Sequence, residues 1–291
     1  MEIWLGATSL GLCYGFLAMG VFITMRIYNF PDITADGSLT LGASVSSALL
    51  VMGFNPYLAV ASSMLAGFIA GALTGTIHTK FKVNGLLSGI LVTTGLYSIN
   101  LHIMGRSNVP LIQVESVLTP FESLFSESRW VAALVYFSLV AIFVHFLLSL
   151  LFKTDFGLSM RATGDNETMI AAQGVNTNVM KIVGIGLSNA IIALSGSLVS
   201  QYQGFADISM GIGIIVFGLA SVIIGESILS VMQKRPSISA LMASAILGAI
   251  IFRILVAIAL MIGLNPIDLK LITALFVLLA VALPQIKTGL K

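Results

Sequence analysis

Long apolar stretches recur along the whole chain, and they constrain its fold more than any other feature. Of the 291 residues, 57% are hydrophobic and only 9% are charged, whereas soluble domains carry about 25% charged residues. A helix of about 20 apolar residues is long enough to cross the hydrocarbon core of a bilayer. The composition therefore excludes a soluble globular protein and predicts an all-α, polytopic membrane helix bundle.

The apolar stretches divide the chain into nine predicted spans. Their approximate bounds are 3–25, 38–54, 57–78, 84–104, 130–152, 182–202, 211–231, 237–262 and 269–283. The pairs Asn55-Pro56 and Asn265-Pro266 predict turns between spans, because such pairs interrupt a helix. Residues 26–37 are a poor helix, yet a short tenth segment hidden there stays open, so we expect about nine to ten spans.

Basic residues fall on one side of this arrangement. If the spans alternate, Lys80, Lys82, the polar loop 153–181 and Lys234-Arg235 face the same side. Cytoplasmic loops are enriched in Lys and Arg, so this side is predicted to be cytoplasmic. With nine spans the N-terminus lies outside, and with ten it lies inside.

A short internal repeat suggests two related halves. Residues 30–34, FPDIT, resemble residues 205–209, FADIS, and each stretch lies between an apolar span and a glycine-interrupted one. Transporters are commonly built from duplicated halves, with the substrate path near broken segments. We therefore predict one transmembrane domain over 1–291, with a first half at 1–152, a polar loop at 153–181 and a second half at 182–291.

The polar loop predicts a short helix between the fifth and sixth spans. Its signals are Asp165 or Asn166 as N-cap, Glu167 in the first turn, Gly174 as the stop and Asn176 as the cap of the next span. The small residues Ala171 and Ala172 on this helix would let it enter a groove on a partner protein. An ordinary capped loop helix is the alternative.

Polar and aromatic residues at membrane depth are candidates for the substrate path, because charged groups there are costly and usually paired or functional. The candidates are Asn29, Phe30, Asp32, Asn84, Tyr97, Asn100, Phe205, Asp207 and Glu226. Asp32 and Asp36 are four residues apart, so they would share a helical face or lie in water at the end of a span. Glu226 and Arg253, on neighbouring spans, would form a buried ion pair or line the path.

Three motifs resemble the ABC importer permeases of the branched-chain amino acid and ribose type. Residues 157–166, GLSMRATGDN, followed by Ala171-Ala172 and 174–176, GVN, are similar to the ATPase-coupling loop of that family. Asn29-Phe30 upstream and Ser195-Gly196 and 223–225, IIG, downstream occur in the family's order. The chain resembles most a subgroup described as tryptophan/tyrosine importers with a single permease gene. It departs from the wider family at Glu226, where a second glycine is usual.

The resemblance implies a role and a set of partners. The implied ATPase-coupling residues are Gly157, Arg161, Gly164, Asp165, Asn166, Glu167, Ala171, Ala172 and Gly174. The chain would be a non-enzymatic permease in the bacterial cytoplasmic membrane, moving an amino acid, aromatic or otherwise, or a related compound. A cytoplasmic ATPase would bind ATP and Mg, an extracellular or periplasmic protein would deliver substrate, and a second copy would complete a homodimer. No cofactor, metal or nucleic acid is expected on this chain itself.

The sequence also leaves a second class of transporter open. Asp32, Asp207 or Glu226 would serve ion coupling in a secondary transporter or channel. An intramembrane enzyme has less support, because the chain contains no metal-ligand spacing among its histidines and no motif around a nucleophile. The chain also contains no phosphate-binding loop, so we do not expect it to bind ATP by that means.

Overall fold

α-Helices joined by short connections make up the computed structural model, which describes residues 2–124, 129–233, 236–263, 265, 268, 271 and 273–278. The helices are α1 Glu2–Phe22, α2 Thr34–Val51, α3 Pro56–Lys80, α4 Gly85–Met104, α5 Thr119–Leu124, α6 Arg129–Leu151, α7 Asp155–Asp165, α8 Glu167–Ala172, α9 Thr177–Gln203, α10 Ile214–Met232 and α11 Ile238–Met261. Two short strands, β1 Asn108–Pro110 and β2 Phe205–Asp207, pair antiparallel.

Seven helices in the described residues are long and apolar enough to cross a membrane, which makes the protein a polytopic helical bundle. They are α1 with its π-helical end, α3, α4, α6, α9, α10 and α11. The predicted second span is α2, which has 18 residues but carries Asp36 and several hydroxyl side chains. The predicted ninth span, 269–283, lies mostly outside the described residues.

Helices α1 and α9 form the centre of the bundle, and 83% of the most apolar part of each is buried. Helix α3 packs on α9, whereas α11 packs on α1. Likewise α2 lies against α9 and α3, and α10 lies against α1 and α11. Helices α2 and α3 of the predicted first half thus pack on α9, and α10 and α11 of the predicted second half pack on α1.

Glycines allow these central contacts to be close, as is usual where helices associate in lipid. A side chain at Gly71 on α3 would overlap the Ile185 carbonyl oxygen of α9. A side chain at Gly11 on α1 would come within 2.7 Å of the Ile250 Cα of α11. The small residues of the spans therefore lie at helix interfaces.

Residues 26–37 contain no hidden membrane crossing. The end of α1 continues as a π-helical turn, Ile23–Ile27, and an irregular segment leads to the start of α2 at Thr34. Gly6 near the start of α1 and Leu50 near the end of α2 line the same cavity. The two helices therefore run in opposite directions, and no further membrane crossing lies between them.

The two sequence-related stretches share a local feature although their backbones differ. Thr34 N–H donates to Asp32 Oδ1 at 2.9 Å, and Ser209 N–H donates to Asp207 Oδ1 at 2.8 Å. Both aspartates thus form the same turn with the residue two positions later. Asp207 lies in strand β2, whereas Asp32 lies in the irregular segment before α2.

Candidate functional site

Helices α7 and α8 form a layer at one end of the bundle, which we call the α7–α8 end. Thr154 caps α7, since its Oγ1 accepts the Gly157 N–H at 3.2 Å. Asn166 caps α8, since its Oδ1 accepts the Met169 N–H at 3.0 Å. Of the two predicted caps, Asn166 has this role and Asp165 is the last residue of α7. The predicted loop helix is therefore present as α8, with a second helix, α7, before it.

The turn after α8 also follows the predicted pattern. Gly174 has φ of +88°, the left-handed conformation that glycine adopts without a steric penalty. Asn176 then caps α9, because its Oδ1 accepts the Val179 N–H at 3.2 Å. The chain therefore passes from α8 into the central helix α9 through one tight turn.

Two glycines let α7 lie directly on the backbone of the bundle. A side chain at Gly157 would overlap the Leu151 carbonyl oxygen, and one at Gly164 would overlap the Ile27 carbonyl oxygen. Met160, on the same face of α7, is completely buried. The spacing of Gly157 and Gly164, two helical turns, thus defines the attached face of α7.

Helix α8 is attached to α9 and leaves a small exposed face. Lys181 Nζ lies 2.5 Å from Glu167 Oε2, and Ile170 is buried beneath the helix. The hydrogen bond from Lys181 lowers the pKa of Glu167 below its ordinary value. Ala171 and Ala172 point outward and are exposed. The layer therefore presents short side chains on a helix that is attached on its other side.

A cavity of about 460 Å³ separates α7 from α10 at this end and is lined by Arg26, Arg161, Asp165 and Glu226. Arg26 forms a two-point ion pair with Glu226: Nε lies 2.8 Å from Oε1, and Nη2 contacts Oε2. Arg26 was not singled out from the sequence. The sequence feature that could have identified Arg26 is its position as a charged residue at the end of the first apolar span.

The predicted ion pair between Glu226 and Arg253 is wrong. Arg253 lies over the ring of Tyr14, with its Cζ 5.0 Å from the ring centroid, and lines a cavity with Glu2 near the start of α1. Glu226 lies at the α7–α8 end, near the other end of α1. Because α10 and α11 run in opposite directions, their charged residues are at opposite ends of the bundle.

Asp32 and Asp36 do not share a helical face, and neither is a freely solvated group at a span end. Asp32 is 2% exposed and accepts a 2.7 Å hydrogen bond from Asn189 Nδ2 on α9. Asp36 is half-buried and accepts the N–H groups of Gly213 and Ile215 at 2.8 and 2.9 Å. Asp32 precedes α2 whereas Asp36 lies in its first turn, so the two carboxylates point to different helices. Asp36 caps α10 from another helix, a role that the sequence analysis missed.

Most of the other path candidates serve the local structure. Asn84 caps α4 by accepting the Leu86 N–H at 2.9 Å. Asn100 is buried and donates to the Gly37 carbonyl oxygen at 3.3 Å. Phe30 is buried with its ring 5.1 Å from that of His78. The two remaining candidates of the first half are exposed: Asn29, with φ of +51°, and Tyr97 on α4.

Asp207 and Phe205 lie at the opposite end of the bundle, around the two strands, which we call the β end. Asp207 accepts a hydrogen bond from Asn108 Nδ2 at 3.1 Å. Burial alone would raise the pKa of Asp207, but its hydrogen bonds from Ser209 and Asn108 outweigh this and lower the pKa. Phe205 lines a cavity of about 990 Å³ beside the β sheet. In the described part of the chain, the path candidates therefore do not converge on one site.

Comparison with known proteins identifies the family. Residues 3–282 match the family described as the permease component of branched-chain amino acid transport systems. The chain belongs to this permease family. The tyrosine transport system permease protein of Clostridioides difficile is 41% identical to this permease over 282 residues, which cover 96% of this chain and 90% of the relative. An uncharacterised protein of Rickettsia prowazekii is 32% identical over 288 residues and 99% of both chains.

One further relative and two solved structures are also similar to this chain. The autoinducer 2 import system permease protein LsrC of Escherichia coli is 29% identical over 212 residues, 72% of this permease and 59% of LsrC. PsaBC from Streptococcus pneumoniae in complex with Fab aligns with a TM-score of 0.53 at 12% identity, over 96% of this chain and 89% of that chain. An inward-facing ABC transporter described as metal-chelate type aligns with a TM-score of 0.50 at 20% identity, over 94% and 81%. At these identities the two structures show a shared fold alone.

Proposed function

We propose that this permease is the membrane subunit of an ATP-driven importer of tyrosine or a related aromatic amino acid. The observation that carries the proposal is the α7–α8 layer, which is exposed on one side and fixed to the bundle backbone on the other at Gly157 and Gly164. A partner that moves this layer also moves the ends of α6 and α1, because at Gly157 and Gly164 no side chain separates α7 from the backbone beneath. The similarity to a tyrosine permease over 96% of the chain supports the substrate class.

The partners follow from this role. A separate ATPase, which binds ATP and Mg, docks on the exposed faces of α7 and α8, and that end of the bundle faces the bacterial cytoplasm. A binding protein delivers the amino acid to the β end on the other side of the membrane. A second copy of the permease completes a homodimer, and the substrate path runs between the two copies. This arrangement agrees with the scatter of the path candidates within one protomer.

Movement of the layer reaches the first half of the chain through buried contacts. Helix α8 leads directly into α9, and Asn189 on α9 holds Asp32 at the start of α2. Asp36 in the first turn of α2 holds the start of α10. A tilt of α9 is therefore transmitted to α2 and then to α10 through hydrogen-bonded carboxylates.

An ion-coupled carrier has less support. Asp32, Asp207 and Glu226 lie in three separate places, and each already has its own hydrogen-bonding partner. A coupling site needs several such groups around one ion or a connected proton path. The three carboxylates provide neither in the described residues.

Docking of the ATPase is tested by co-purification from membranes. We expect Ala171→Trp to remove the ATPase from the purified permease, because the indole would occupy the small exposed face of α8. Ser107→Trp, also exposed but at the β end, is the matched control and should retain the ATPase. The docking proposal fails if Ala171→Trp retains as much ATPase as the control.

The substrate class is tested by competition. Uptake of labelled tyrosine by the reconstituted importer should be reduced by excess unlabelled tyrosine, and far less by excess leucine or ribose. Equal competition by leucine would assign the permease to branched-chain substrates instead.

A further inference from the structure

The cavity between α7 and α10 contains two positive and two negative side chains but only one ion pair. Arg26 and Glu226 are paired, while Arg161 and Asp165 on α7 line the same cavity. In the part of the chain that the structure describes, the side chains of Arg161 and Asp165 form no hydrogen bond and no ion pair. The cavity that contains the Arg26–Glu226 pair is thus also lined by a second carboxylate and a second guanidinium.

The bridge between Arg26 and Glu226 is accessible to water. The side chain of Arg26 is 55% exposed and that of Glu226 is 17% exposed. Exposed ion pairs contribute on the order of 0–1 kcal/mol to stability, so this bridge holds α10 to α1 only weakly. A second carboxylate that is brought within hydrogen-bonding distance can therefore replace Glu226 as the partner of the guanidinium at little cost in free energy.

The backbone that carries Arg26 is able to move its side chain. Arg26 lies in the π-helical turn Ile23–Ile27, and single π-helical turns are frequent at functional sites. Conversion of such a turn to α-helix shifts the following residues by one position, a rotation of about 100° at 3.6 residues per turn. Gly164 touches the Ile27 carbonyl oxygen, so a movement of α7 acts directly on this turn.

We infer that Arg26 is a positioning residue of the transport reaction that exchanges its partner between Glu226 on α10 and Asp165 on α7. In the present conformation it holds α10 to the end of α1. When the ATPase moves α7, Asp165 takes the guanidinium, Arg161 takes Glu226, and α10 is released from α1. This inference rests on the proposed ATP-driven function and adds the residues that link the ATPase layer to α10.

The experiment compares charge-neutralised variants of the complete importer, permease with ATPase and binding protein, in liposomes. ATP-dependent tyrosine uptake, ATP hydrolysis and bound ATPase are measured for Asp165→Asn, Glu226→Gln and Arg26→Gln. Asp155→Asn, on the exposed first turn of the same helix, is the matched control. Uptake by the wild type is measured with and without ATP. Uptake that does not depend on ATP would contradict the proposed function, which separates that failure from a failure of the partner exchange.

Partner exchange predicts that Asp165→Asn lowers uptake at least fivefold per bound ATPase, although the Asp165 carboxylate makes no hydrogen bond or ion pair among the described residues. It also predicts that Glu226→Gln raises ATP hydrolysis relative to uptake, because α10 is no longer held. In a double-mutant cycle, Asp165→Asn should add no further loss to Arg26→Gln. The inference is overturned if Asp165→Asn matches the Asp155→Asn control, or if its loss is undiminished in the Arg26→Gln background.

Discussion

Asn189 on α9 donates a 2.7 Å hydrogen bond to Asp32 at the start of α2, and both side chains are buried in the bundle. Asp32 also accepts the Thr34 N–H, so one carboxylate fixes the beginning of α2 and ties it to the other half of the chain. A side chain on α3 at Gly71 would collide with Asn189, which shows how closely three helices meet here. The contact links the two halves of the permease near the middle of α9.

Removal of this carboxylate should destabilise the folded permease. Asp32→Ala leaves the Thr34 N–H without its acceptor and Asn189 with one partner fewer, and a hydrogen bond to a charged group contributes about 1.5–3 kcal/mol. We expect a clearly lower midpoint of thermal unfolding in detergent. Glu2→Ala, at an exposed position, is the control, and equal midpoints for the two variants would contradict a structural role for Asp32.

The close packing of α7 against the end of α1 should depend on Gly164. Gly164→Ala would push α7 off the Ile27 carbonyl oxygen, so tyrosine uptake and bound ATPase should both fall severalfold. Gly95→Ala on α4 is the control, because its added methyl group would meet no atom of another helix within 4 Å. Normal uptake by Gly164→Ala would mean that the contact between α7 and α1 is not needed for transport.

The first turn of α10 should unfold locally more often when the Asp36 carboxylate that caps it is removed. Asp36→Ala deletes the acceptor for the Gly213 and Ile215 N–H groups, and loss of an N-cap costs about 0.5–2 kcal/mol. Hydrogen exchange of these amides should become faster, whereas exchange at the start of α7, capped by Thr154, should not change. Unchanged exchange at Gly213 and Ile215 would show that other groups hold the start of α10.

The attachment of α8 should weaken in acid. The pKa of Glu167 is lowered by Lys181, so its contribution to stability is fully present above the ordinary glutamate value of about 4.3 and is lost as pH falls through the lowered pKa. The difference in unfolding midpoint between wild type and Glu167→Gln should therefore be constant from about pH 7 to 5 and shrink below about pH 4. The pKa of Asp207 is also lowered, so Asp207 also loses its contribution to stability in acid. Because both proteins contain Asp207, its contribution cancels in the difference. A difference that grows in acid would contradict the assigned pair.

Local signals in the sequence predicted much of the fold. Asn166 and Asn176 each cap a helix as expected, because these contacts involve a residue three positions away. Asn55 and Asn84 also cap helices, although the sequence indicated a turn at Asn55-Pro56 and a substrate-path residue at Asn84. Gly174 ends its helix as expected because the left-handed conformation is a property of that residue alone. Caps and stops could therefore be located without knowledge of the tertiary structure.

Contacts between distant residues could not be predicted in the same way. The partner of Glu226 is 200 positions away, and choosing Arg26 over Arg253 requires knowing at which end of the bundle each residue lies. The π-helical turn at Ile23–Ile27 lies against α7, and the Asp36 cap depends on the position of α10. For the same reason the sequence analysis proposed too many substrate-path residues. Several of them cap helices or form buried hydrogen bonds between helices in the folded chain.

The central claim is that this permease moves an amino acid only when a separate ATPase hydrolyses ATP. The most direct measurement is uptake of labelled tyrosine into liposomes containing the permease and its ATPase, with the binding protein outside and ATP either enclosed or omitted. The proposal predicts uptake with ATP and background levels without it, or with a non-hydrolysable analogue. Equal uptake by the permease alone, without ATPase or nucleotide, would contradict the account.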